Sequence, residues 1–431
     1  MKLSPVIYVA RDIERALGME PGANALCNYF IITNRTPYAE KIQAKYPDNV
    51  WLIDRPVAAG EAAGIETETL GTYELLSIPE VAASITKSTK DEGAKLVVFK
   101  NAPRIEALAK KHGWQLVNPP AALAEKIENK ITQVEFLGEL VSYLPAHQIL
   151  QTKHIKPTYR NTSGELDAVK DEFIPFIIQW AHSHTGDGTI LVTNEKQLQE
   201  IQQKFPDRDA RVSVFVKGPT FTSNVLPLLA GEANISYQIT GSLPFTDNPW
   251  STIGNDWSLT HSILTEKNVA TIHEIAQKTA EKMKAAGWRG LFGIDLIYDE
   301  ERDEIRLIEI NARQPASTTF ESQLQLGLRV AGLEGVTTFE AHLASLEGGG
   351  TVQPLIPVYD GAQIIQRVTA SKKSVSDKAA KELDEAGFIT IQYPNTKPNA
   401  DLIRIQNLRG IMETHTKFNL RGKKIVEIIT K

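Results

Sequence analysis

The chain has 431 residues, a length that predicts two or three domains rather than a single core. Its formal net charge is −5 and its pI is near 6.1, so its overall charge gives no reason to expect nucleic acid or an anionic membrane as a main partner. The single cysteine, Cys27, excludes an intrachain disulfide, suits a reducing compartment and is expected to be buried.

The sequence contains no segment typical of secretion or membrane insertion. The apolar run near the amino terminus is too short for a signal peptide and stops at Arg11 and Asp12. No stretch approaches the roughly 18 consecutive apolar residues of a membrane-spanning helix. We therefore expect a soluble protein in the cytoplasm, with neither membrane nor nucleic acid among its partners.

Strand and helix patterns alternate through the first part of the chain. Short buried strands are predicted at Val6–Ala10, Tyr29–Thr33, Val50–Ile53, Leu96–Phe99 and Gln115–Val117, and helices at Tyr38–Lys45, Pro79–Asp91 and Arg104–Lys111. This alternation predicts a parallel sheet with crossover helices, a Rossmann-like domain over residues 1–120. No G-x-G-x-x-G follows the first strand, so dinucleotide binding is not predicted.

The middle of the chain mixes helices with short strands. A long helix-prone run, Ala121–Val141, follows Pro119-Pro120. Strands are predicted at Pro175–Trp180, Thr189–Val192, Val212–Val216 and Ile235–Thr240, and helices after the capping residue Asn194 and at Val269–Ala286, which Gly287 is expected to end.

The pattern changes again after Gly348–Gly350, a predicted linker or tight turn. Strands are predicted at Ala362–Val368, Ile389–Gln392, Leu402–Ile405 and Ile425–Ile429, and one helix at Asp377–Ala386. This pattern predicts a small α+β domain over residues 351–431.

A polar loop that contains two glycines separates two of the predicted strands. It reads His182-Ser183-His184-Thr185-Gly186-Asp187-Gly188-Thr189. Backbone N–H groups of such a loop can close over phosphates, because glycine has no Cβ to block the approach. Gly186, Gly188 and Thr189 are therefore candidate phosphate-binding residues. The alternative is a plain hairpin turn, for which Gly-Asp-Gly is also suitable.

The most informative pattern in the chain is a predicted hairpin over residues 291–311. Two β-rich runs flank a short charged turn. If the turn centres on Arg302, Asp295 lies opposite Glu309 and Gly293 lies opposite Asn311. Side-chain alternation then puts one polar set on one face (Asp295, Glu309, Asn311, Arg313) and one apolar set on the core face (Ile294, Leu296, Ile308, Ile310).

Two carboxylates that face each other across paired strands repel unless a cation lies between them. Mg²⁺ binds carboxylate and amide oxygens and keeps coordination positions open for phosphate oxygens. The pattern therefore favours a magnesium site formed by Asp295, Glu309 and Asn311. The alternative is a solvated hairpin face on which Arg313 pairs with Glu309.

This hairpin resembles the metal-binding hairpin of the ATP-grasp enzymes, and the resemblance covers roughly Ala121 to Leu346. It implies an α/β and α+β multidomain protein with a Rossmann-like N-terminal domain, a two-subdomain ATP-grasp fold over residues 121–346 and a small C-terminal α+β portion. It also implies that ATP and Mg²⁺ bind, with Mg²⁺ held by Asp295, Glu309 and Asn311. Arg313 is implied as the catalytic residue that acts on the transferred phosphoryl group.

Further ATP contacts are implied by the resemblance alone. Lys130 is similar to a lysine that reaches the nucleotide phosphates, and a solvated helix lysine is the alternative. Gln179 stands where many members of the family have a second phosphate-binding lysine, so the expected contact lacks charge assistance. Ser213–Gly218 lacks the acidic residues of the usual adenine hinge, which leaves backbone atoms of Val214 and Val216 as the expected base contacts.

The activity implied by the resemblance is that of an ATP-dependent carboxylate–amine or carboxylate–thiol ligase. ATP phosphorylates a substrate carboxylate to an acyl phosphate, which the nucleophile then attacks. Two alternatives are an ATP-binding regulatory or assembly protein with weakened catalysis, motivated by Gln179 and the altered hinge, and an ATP-grasp kinase. The expected partners are small-molecule carboxylate and amine substrates, whose identity the sequence leaves open, as it does a homodimer.

Overall fold

The computed structural model describes residues 3–23, 26–54, 69–161, 171–181, 188–229, 233–241, 244–349 and 353–431. Within these ranges, three sheets of four or more strands form the framework. They are a mainly parallel sheet near the amino terminus, a four-stranded antiparallel sheet, and an eight-stranded antiparallel sheet that reaches into the last part of the chain.

The first sheet confirms the predicted alternation of strands and helices. Its elements are β1 (Val6–Val9), β2 (Gly22–Ala23), β3 (Asn28–Asn34), α1 (Pro37–Lys45), β4 (Val50–Ile53), α2 (Thr72–Ser77), α3 (Pro79–Glu92), β5 (Lys95–Val98), α4 (Pro103–His112) and β6 (Gln115–Leu116). β1 lies between β3 and β5, β4 and β6 extend the sheet on either side, and all five strands are parallel. β2 adds a short antiparallel pairing to β3.

Both faces of this sheet are buried, as the continuous apolar strands predict. Ile7 and Val9 pack with side chains of α3 and α4, whereas Val6 and Tyr8 pack into a second cluster on the opposite face. That second cluster includes Phe339, which comes from a helix far along the chain. The first sheet is therefore completed by a helix outside residues 1–120.

The predicted continuous helix Ala121–Val141 is wrong. The segment forms α5 (Ala121–Glu128) and α6 (Thr132–Leu137), followed by a 3₁₀ helix at Gly138–Tyr143. The break occurs because Asn129 leaves the helical conformation and its side chain accepts from the Ile131 N–H at 2.9 Å. Asparagine competes for backbone groups in this way and so favours helix ends over helix interiors.

The four-stranded sheet follows. It contains β7 (His147–Gln151), β10 (Phe176–Trp180), β11 (Thr189–Val192) and β12 (Asp209–Val214), with α7 (Glu195–Lys204) after β11 and a small ribbon of β8 (Tyr159–Asn161) and β9 (Asp171–Phe173) before β10. The strand order is β11-β10-β12-β7. As predicted, Asn194 caps α7, since its side chain accepts from the Gln197 N–H at 2.9 Å.

The eight-stranded sheet carries most of the remaining chain. Its elements and neighbours are β13 (Thr220–Val225), β14 (Ile235–Thr240), β15 (Thr252–Asp256), α8 (Thr260–Ile263), α9 (Glu266–Ala285), β16 (Phe292–Asp299), β17 (Glu304–Asn311), α10 (Thr318–Val330), α11 (Thr338–Leu346), β18 (Ala362–Arg367), α12 (Asp377–Glu385), β19 (Ile389–Gln392) and β20 (Asp401–Asn407). The order is β17-β16-β13-β14-β15-β18-β20-β19. The strands β18, β19 and β20 therefore continue a sheet that begins at β13.

The end of the chain differs from the sequence prediction. A small ribbon of β21 (Met412–Thr414) and β22 (Lys417–Phe418) precedes α13 (Leu420–Thr430), so the predicted strand Ile425–Ile429 is wrong. Asn419 starts the helix by accepting from two backbone N–H groups. Ile425, Ile428 and Ile429 share one buried face at helical spacing. The β-branched residues of this segment favour a strand, but the cap at Asn419 starts a helix that includes them.

No helix in the described ranges is long and apolar enough to span a bilayer.

Candidate functional site

A cavity of about 660 Å³ lies between the four-stranded sheet and the polar face of the eight-stranded sheet. It brings together most of the predicted site residues: Gln179, Thr189, Val214, Val216, Asp295, Glu309, Asn311 and Arg313 all line it. Gly188 closes the turn before β11 by accepting from the Trp180 N–H at 3.1 Å. Gly186 lies outside the described residues.

The hairpin β16–β17 has the predicted pairing at the site. Asp295 lies opposite Glu309 and Gly293 opposite Asn311. A β-bulge follows, because Leu296 pairs with Leu307 and Ile308 is skipped. The predicted core position of Ile308 is therefore wrong: Leu307 is fully buried, whereas Ile308 lines the cavity. The extra residue reverses the alternation that a regular hairpin would have kept.

Asp295 is surrounded by amide donors. Its two carboxylate oxygens accept from Gln238 Nε2 and Asn311 Nδ2, each at 2.9 Å. Burial, and then the neighbouring charge of Glu309, raise the pKa of Asp295 to about 7. Burial and the charge of Glu309 thus disfavour the ionised form of Asp295.

Glu309 has a cationic partner, Lys130. The lysine lies in the break between α5 and α6, where its N–H donates to the Ala181 carbonyl at 3.0 Å and its Nζ forms an ion pair with Glu309. Only 6% of its side chain is exposed, so the alternative of a solvated helix lysine is wrong. Burial opposes ionisation of Glu309, but Lys130, Arg211 and Arg313 hold its pKa well below the ordinary range.

Arg211 is a site residue that sequence reasoning missed. It lies on β12 directly beside Gln179 and donates to its Oε1 from Nε at 3.1 Å and from Nη2 at 2.6 Å. Nη2 also donates to the Ile308 carbonyl at 2.9 Å, and Nη1 has no hydrogen-bond acceptor among the described residues. Burial lowers the pKa of Arg211 to about 10, which leaves it charged at neutral pH. Arg211 directly precedes the predicted strand Val212–Val216, so it was expected to lie outside the strand. The strand β12 begins earlier, at Asp209, and includes it.

This wall of the cavity therefore carries a positive charge, although Gln179 itself is neutral. Its side-chain oxygen is occupied by Arg211, and its Nε2 lies 3.4 Å from Thr189 Oγ1. The cation expected on β10 is thus carried by the neighbouring strand, with Gln179 holding it in position.

The predicted adenine hinge lines the cavity beside an apolar slot. Leu144, Ile177, Ile297 and Ile308 are among the residues around it. The Val214 N–H already donates to the Ala146 carbonyl at 2.9 Å, so a base contact by Val214 would have to use other atoms. An apolar slot with main-chain edges is the usual form of a site for a planar heterocycle.

Arg313 pairs with Glu128 and not with Glu309. Glu128 also accepts from Lys100 Nζ at 2.9 Å, and although burial opposes its ionisation, Arg313 and Lys100 hold its pKa below the ordinary value. The Arg313 side chain is 27% exposed and lines the cavity beside the acidic pair. The alternative of a hairpin face closed by an Arg313–Glu309 pair is therefore wrong.

The oxygen donors at the hairpin fit a hard cation whose remaining coordination positions are filled by a bound ligand. No group of three or more His, Cys, Asp or Glu that could hold a metal occurs in the described ranges. Asp295, Glu309 and the Asn311 amide line one wall and offer oxygen ligands without a closed cage. Mg²⁺ is usually bound by one or two carboxylates together with phosphate oxygens, which matches this open arrangement.

Comparison with known proteins gives structural matches only. No protein-family model and no curated protein matches the chain. Among solved structures, the N5-carboxyaminoimidazole synthetase of Staphylococcus aureus has a TM-score of 0.59 at 11% identity, over 100% of this chain and 99% of that one. The ATP complex of the carboxyaminoimidazole ribonucleotide synthase of Aspergillus clavatus has a TM-score of 0.59 at 15% identity, over 99% and 98%.

A third match is the biotin carboxylase of Campylobacter jejuni in a β-γ-ATP complex, with a TM-score of 0.54 at 15% identity over 94% of this chain and 88% of that one. These proteins are ATP-grasp enzymes. The matches span nearly the whole chain and so confirm the fold class predicted from the hairpin, a Rossmann-like domain ahead of an ATP-grasp fold with a C-terminal portion. The chain has the ATP-grasp fold.

Proposed function

We propose that the protein is an ATP-dependent ligase that activates a substrate carboxylate as an acyl phosphate for attack by an amine or a thiol. The observation that carries the proposal is the acidic pair Asp295 and Glu309, which faces a cavity also lined by Arg211 and Arg313. Structural neighbours described as synthetases and a carboxylase, some in complex with ATP or ADP, support it.

In this proposal the apolar slot receives the adenine and the triphosphate runs toward the hairpin. Arg211 and Lys130 provide positive charge for the phosphate oxygens, which would compete with Glu309 for the Lys130 ammonium group. Asp295, Glu309 and Asn311 would hold Mg²⁺, which supplies charge neutralisation for phosphoryl transfer. The boundaries 1–120, 121–346 and 351–431 remain our proposed division into domains.

Arg313 has the position of a group that stabilises the transferred phosphoryl group. It follows β17 by two residues, and its N–H donates to the Asn311 carbonyl at 2.8 Å, which keeps it next to the acidic pair. Glu128 orients the guanidinium from outside the cavity. A fixed guanidinium favours the charge distribution of phosphoryl transfer because its N–H groups are already oriented.

The regulatory alternative is weakened by Arg211. It was motivated by the neutral side chain of Gln179, but a buried guanidinium contacts that side chain and restores the charge. An acyl-phosphate mechanism also predicts a nucleophile-dependent product, which separates it from a kinase.

The test uses the purified full chain with Mg·ATP, pooled small carboxylic acids and pooled amines. We expect phosphate release that requires both pools and a product mass equal to acid plus amine minus water. A phosphorylated acid as the stable product would support the kinase alternative. Nucleotide binding without turnover in any pool would support the regulatory one.

A further inference from the structure

The cavity continues beyond the acidic pair along the polar face of the eight-stranded sheet. Gln238, Asn255 and Gln363 lie on the neighbouring strands β14, β15 and β18 and all line it. Gln363 donates to Asn255, which donates to Ser236, each at 3.1 Å. Gln238, which contacts Asp295, is two strands away from Gln363, a separation of about 10 Å. The cavity wall therefore extends well past the metal-binding hairpin.

Two buried arginines form the far end of this wall. Arg404 is 1% exposed, and it donates to the Tyr393 hydroxyl and to Gln363 Oε1, each at 3.1 Å. Arg367 is 8% exposed and donates to two main-chain carbonyls, at 3.0 and 3.2 Å. Arg367 Nε is buried without a hydrogen-bond acceptor in the described part of the chain. Arg404 Nη2 is also buried and makes no hydrogen bond there, and its neighbour Asp401 Oδ2 lies 3.5 Å away.

Positive charge exceeds negative charge at this end. Asp401 lies 3.2 Å from Arg367 and 3.5 Å from Arg404, so one carboxylate is shared between two guanidinium groups. Arg15, from the loop after β1, also lines the cavity and has Glu14 at 3.8 Å. Arg11 and Asp12 lie beside this group. With them, four arginines (Arg11, Arg15, Arg367, Arg404) face three carboxylates (Asp12, Glu14, Asp401), so positive charge exceeds negative charge by one.

A buried guanidinium N–H without an acceptor loses its hydration and receives nothing in exchange. A bound anion would supply the missing acceptors. Because guanidinium groups bind carboxylate and phosphate oxygens in a planar, often bidentate geometry, either group would suit this end of the cavity.

We propose that Arg15, Arg367 and Arg404, which we call the distal arginine pocket, bind a second anionic group of the substrate. This group is a carboxylate or a phosphate, bound beyond Gln363, which itself lies about 10 Å across the sheet from the Gln238 that contacts Asp295. The inference rests on the proposed function, which places the reacting carboxylate. It assigns the carboxylate substrate to the dicarboxylates or the phosphorylated carboxylates and excludes simple monocarboxylic acids.

The test compares dianionic probes with monoanions of equal chain length by calorimetric titration of the full chain. The probes are glutarate, adipate and suberate, each against the corresponding straight-chain monocarboxylate, with and without saturating Mg·ADP. We expect at least one dicarboxylate to bind about tenfold tighter than its monoanion, the size of a charge-assisted contact. Adipate against 5-phosphonopentanoate then separates a carboxylate pocket from a phosphate pocket.

The variants Arg367→Gln and Arg404→Gln should abolish this preference while the Kd of Mg·ADP stays unchanged. Arg404→Lys is included because the neutral variant leaves Asp401 without one of its partners and can fail to fold. Lysine keeps the charge but loses the planar fork, so the preference should fall without disappearing. Arg409→Gln removes an exposed arginine, 69% accessible, and is the matched control that should keep the preference.

Equal affinity of wild type for every dianion and its monoanion would overturn the distal arginine pocket. A preference of undiminished size in both Arg367→Gln and Arg404→Lys would overturn it as well. Failure of Mg·ADP to bind, with the dianion preference intact, would instead count against the proposed function alone, because the preference is also measured without nucleotide.

Discussion

The two carboxylates of the hairpin have unequal partners. Glu309 forms an ion pair with the buried Lys130, whereas Asp295 is contacted by neutral groups, the amides of Gln238 and Asn311 and the hydroxyl of Thr222. Burial and the adjacent Glu309 raise the pKa of Asp295, while the pKa of Glu309 lies below its ordinary range despite burial. The pair therefore does not behave as two equivalent metal ligands when no metal is bound.

This inequality predicts opposite effects of two neutral substitutions on stability. Asp295→Asn removes the carboxylate that lacks a cationic partner, so the melting temperature without metal should stay the same or rise. Glu309→Gln leaves Lys130 buried without its carboxylate and should lower the free energy of unfolding by about 3–5 kcal/mol. Both should lose turnover with Mg·ATP. Denaturant unfolding and turnover on the same preparations check this, and equal destabilisation would contradict it.

Arg313 is predicted to act on the chemical step more than on nucleotide affinity. Arg313→Lys keeps the charge but loses the planar fork, so kcat should fall by about 100-fold or more while the Kd of Mg·ADP changes little. Glu128→Gln, which removes the partner of Arg313 and keeps the guanidinium, is the control and should reduce kcat much less. A normal kcat with a lower melting temperature in Arg313→Lys would show that Arg313 only forms a structural ion pair and has no role in the chemical step.

At the scale of elements, the buried cation Arg211 lies on β12, and the side chain that positions it, Gln179, lies on the neighbouring strand β10. Their pairing places Gln179 directly opposite Arg211, so the strand that carries the charge differs from the one that sequence reasoning examined. Replacing Gln179 by lysine alone would bury a second cation beside the first one. Such a change is costly, because like charges in a buried environment are poorly screened.

The two strands therefore predict a charge-relocation experiment. Arg211→Gln should weaken Mg·ATP binding by about tenfold or more through loss of charge assistance. Gln179→Lys alone should not tighten binding, whereas Gln179→Lys in the Arg211→Gln background should restore much of the lost affinity. Calorimetric titration of the two single variants and the double variant decides this. Tighter binding by Gln179→Lys alone would show that its side chain reaches the phosphates without interference from Arg211.

Local sequence rules worked where they had to decide only the type of an element. Asn194 predicted α7 and short continuous apolar runs predicted the strands of the first sheet, because caps and apolar runs act over a few residues. They failed at Asn129, whose side chain ends a helix, and at Ile425–Ile429, where four apolar residues around Glu427 are compatible with either period. Short apolar runs are ambiguous in this way until a neighbour selects a face.

At the scale of the whole molecule, α11 holds the amino-terminal sheet against the part of the chain that forms the candidate site. Phe339 and Leu343 of that helix pack in the same core as Tyr8 and Tyr29 of the first sheet. Tyr8 also donates to Gln314, just beyond the hairpin, at 2.7 Å. The loops of the first sheet, including Arg15, are thereby fixed against the cavity.

Gly18 provides a test of this attachment. A Cβ at Gly18 would lie 2.2 Å from Cγ of Phe339, whose ring is fully buried and cannot move aside. Gly18→Ala should therefore lower the free energy of unfolding by about 1–3 kcal/mol, the range for overpacking a core. It should also make the amino-terminal region more susceptible to limited proteolysis.

The matched control for this substitution is Gly327→Ala. Gly327 is an exposed residue of α10, and a Cβ there would meet no atom within 4 Å. Alanine should therefore stabilise the helix by about 0.5–1 kcal/mol. Equal stability of the Gly18 and Gly327 variants would show that α11 does not clamp the first sheet.

The pairing of Asp295 with Glu309 is reached through the bulge at Ile308, because nearer the turn Ile297 pairs with Arg306, one residue off the register of a turn centred on Arg302. The sequence by itself predicted this pairing but not the bulge. It also determined the ATP-grasp fold class, through the residues that this register places together. Only the tertiary structure decided which cations serve the site. Lys130, Arg211 and the distal arginines belong to separate segments, and their ion pairs and hydrogen bonds exist only once the sheets are assembled. Charged residues that are far apart in the sequence form no periodic pattern. They pair because burial in a shared cavity removes their hydration, and this happens only in the folded protein.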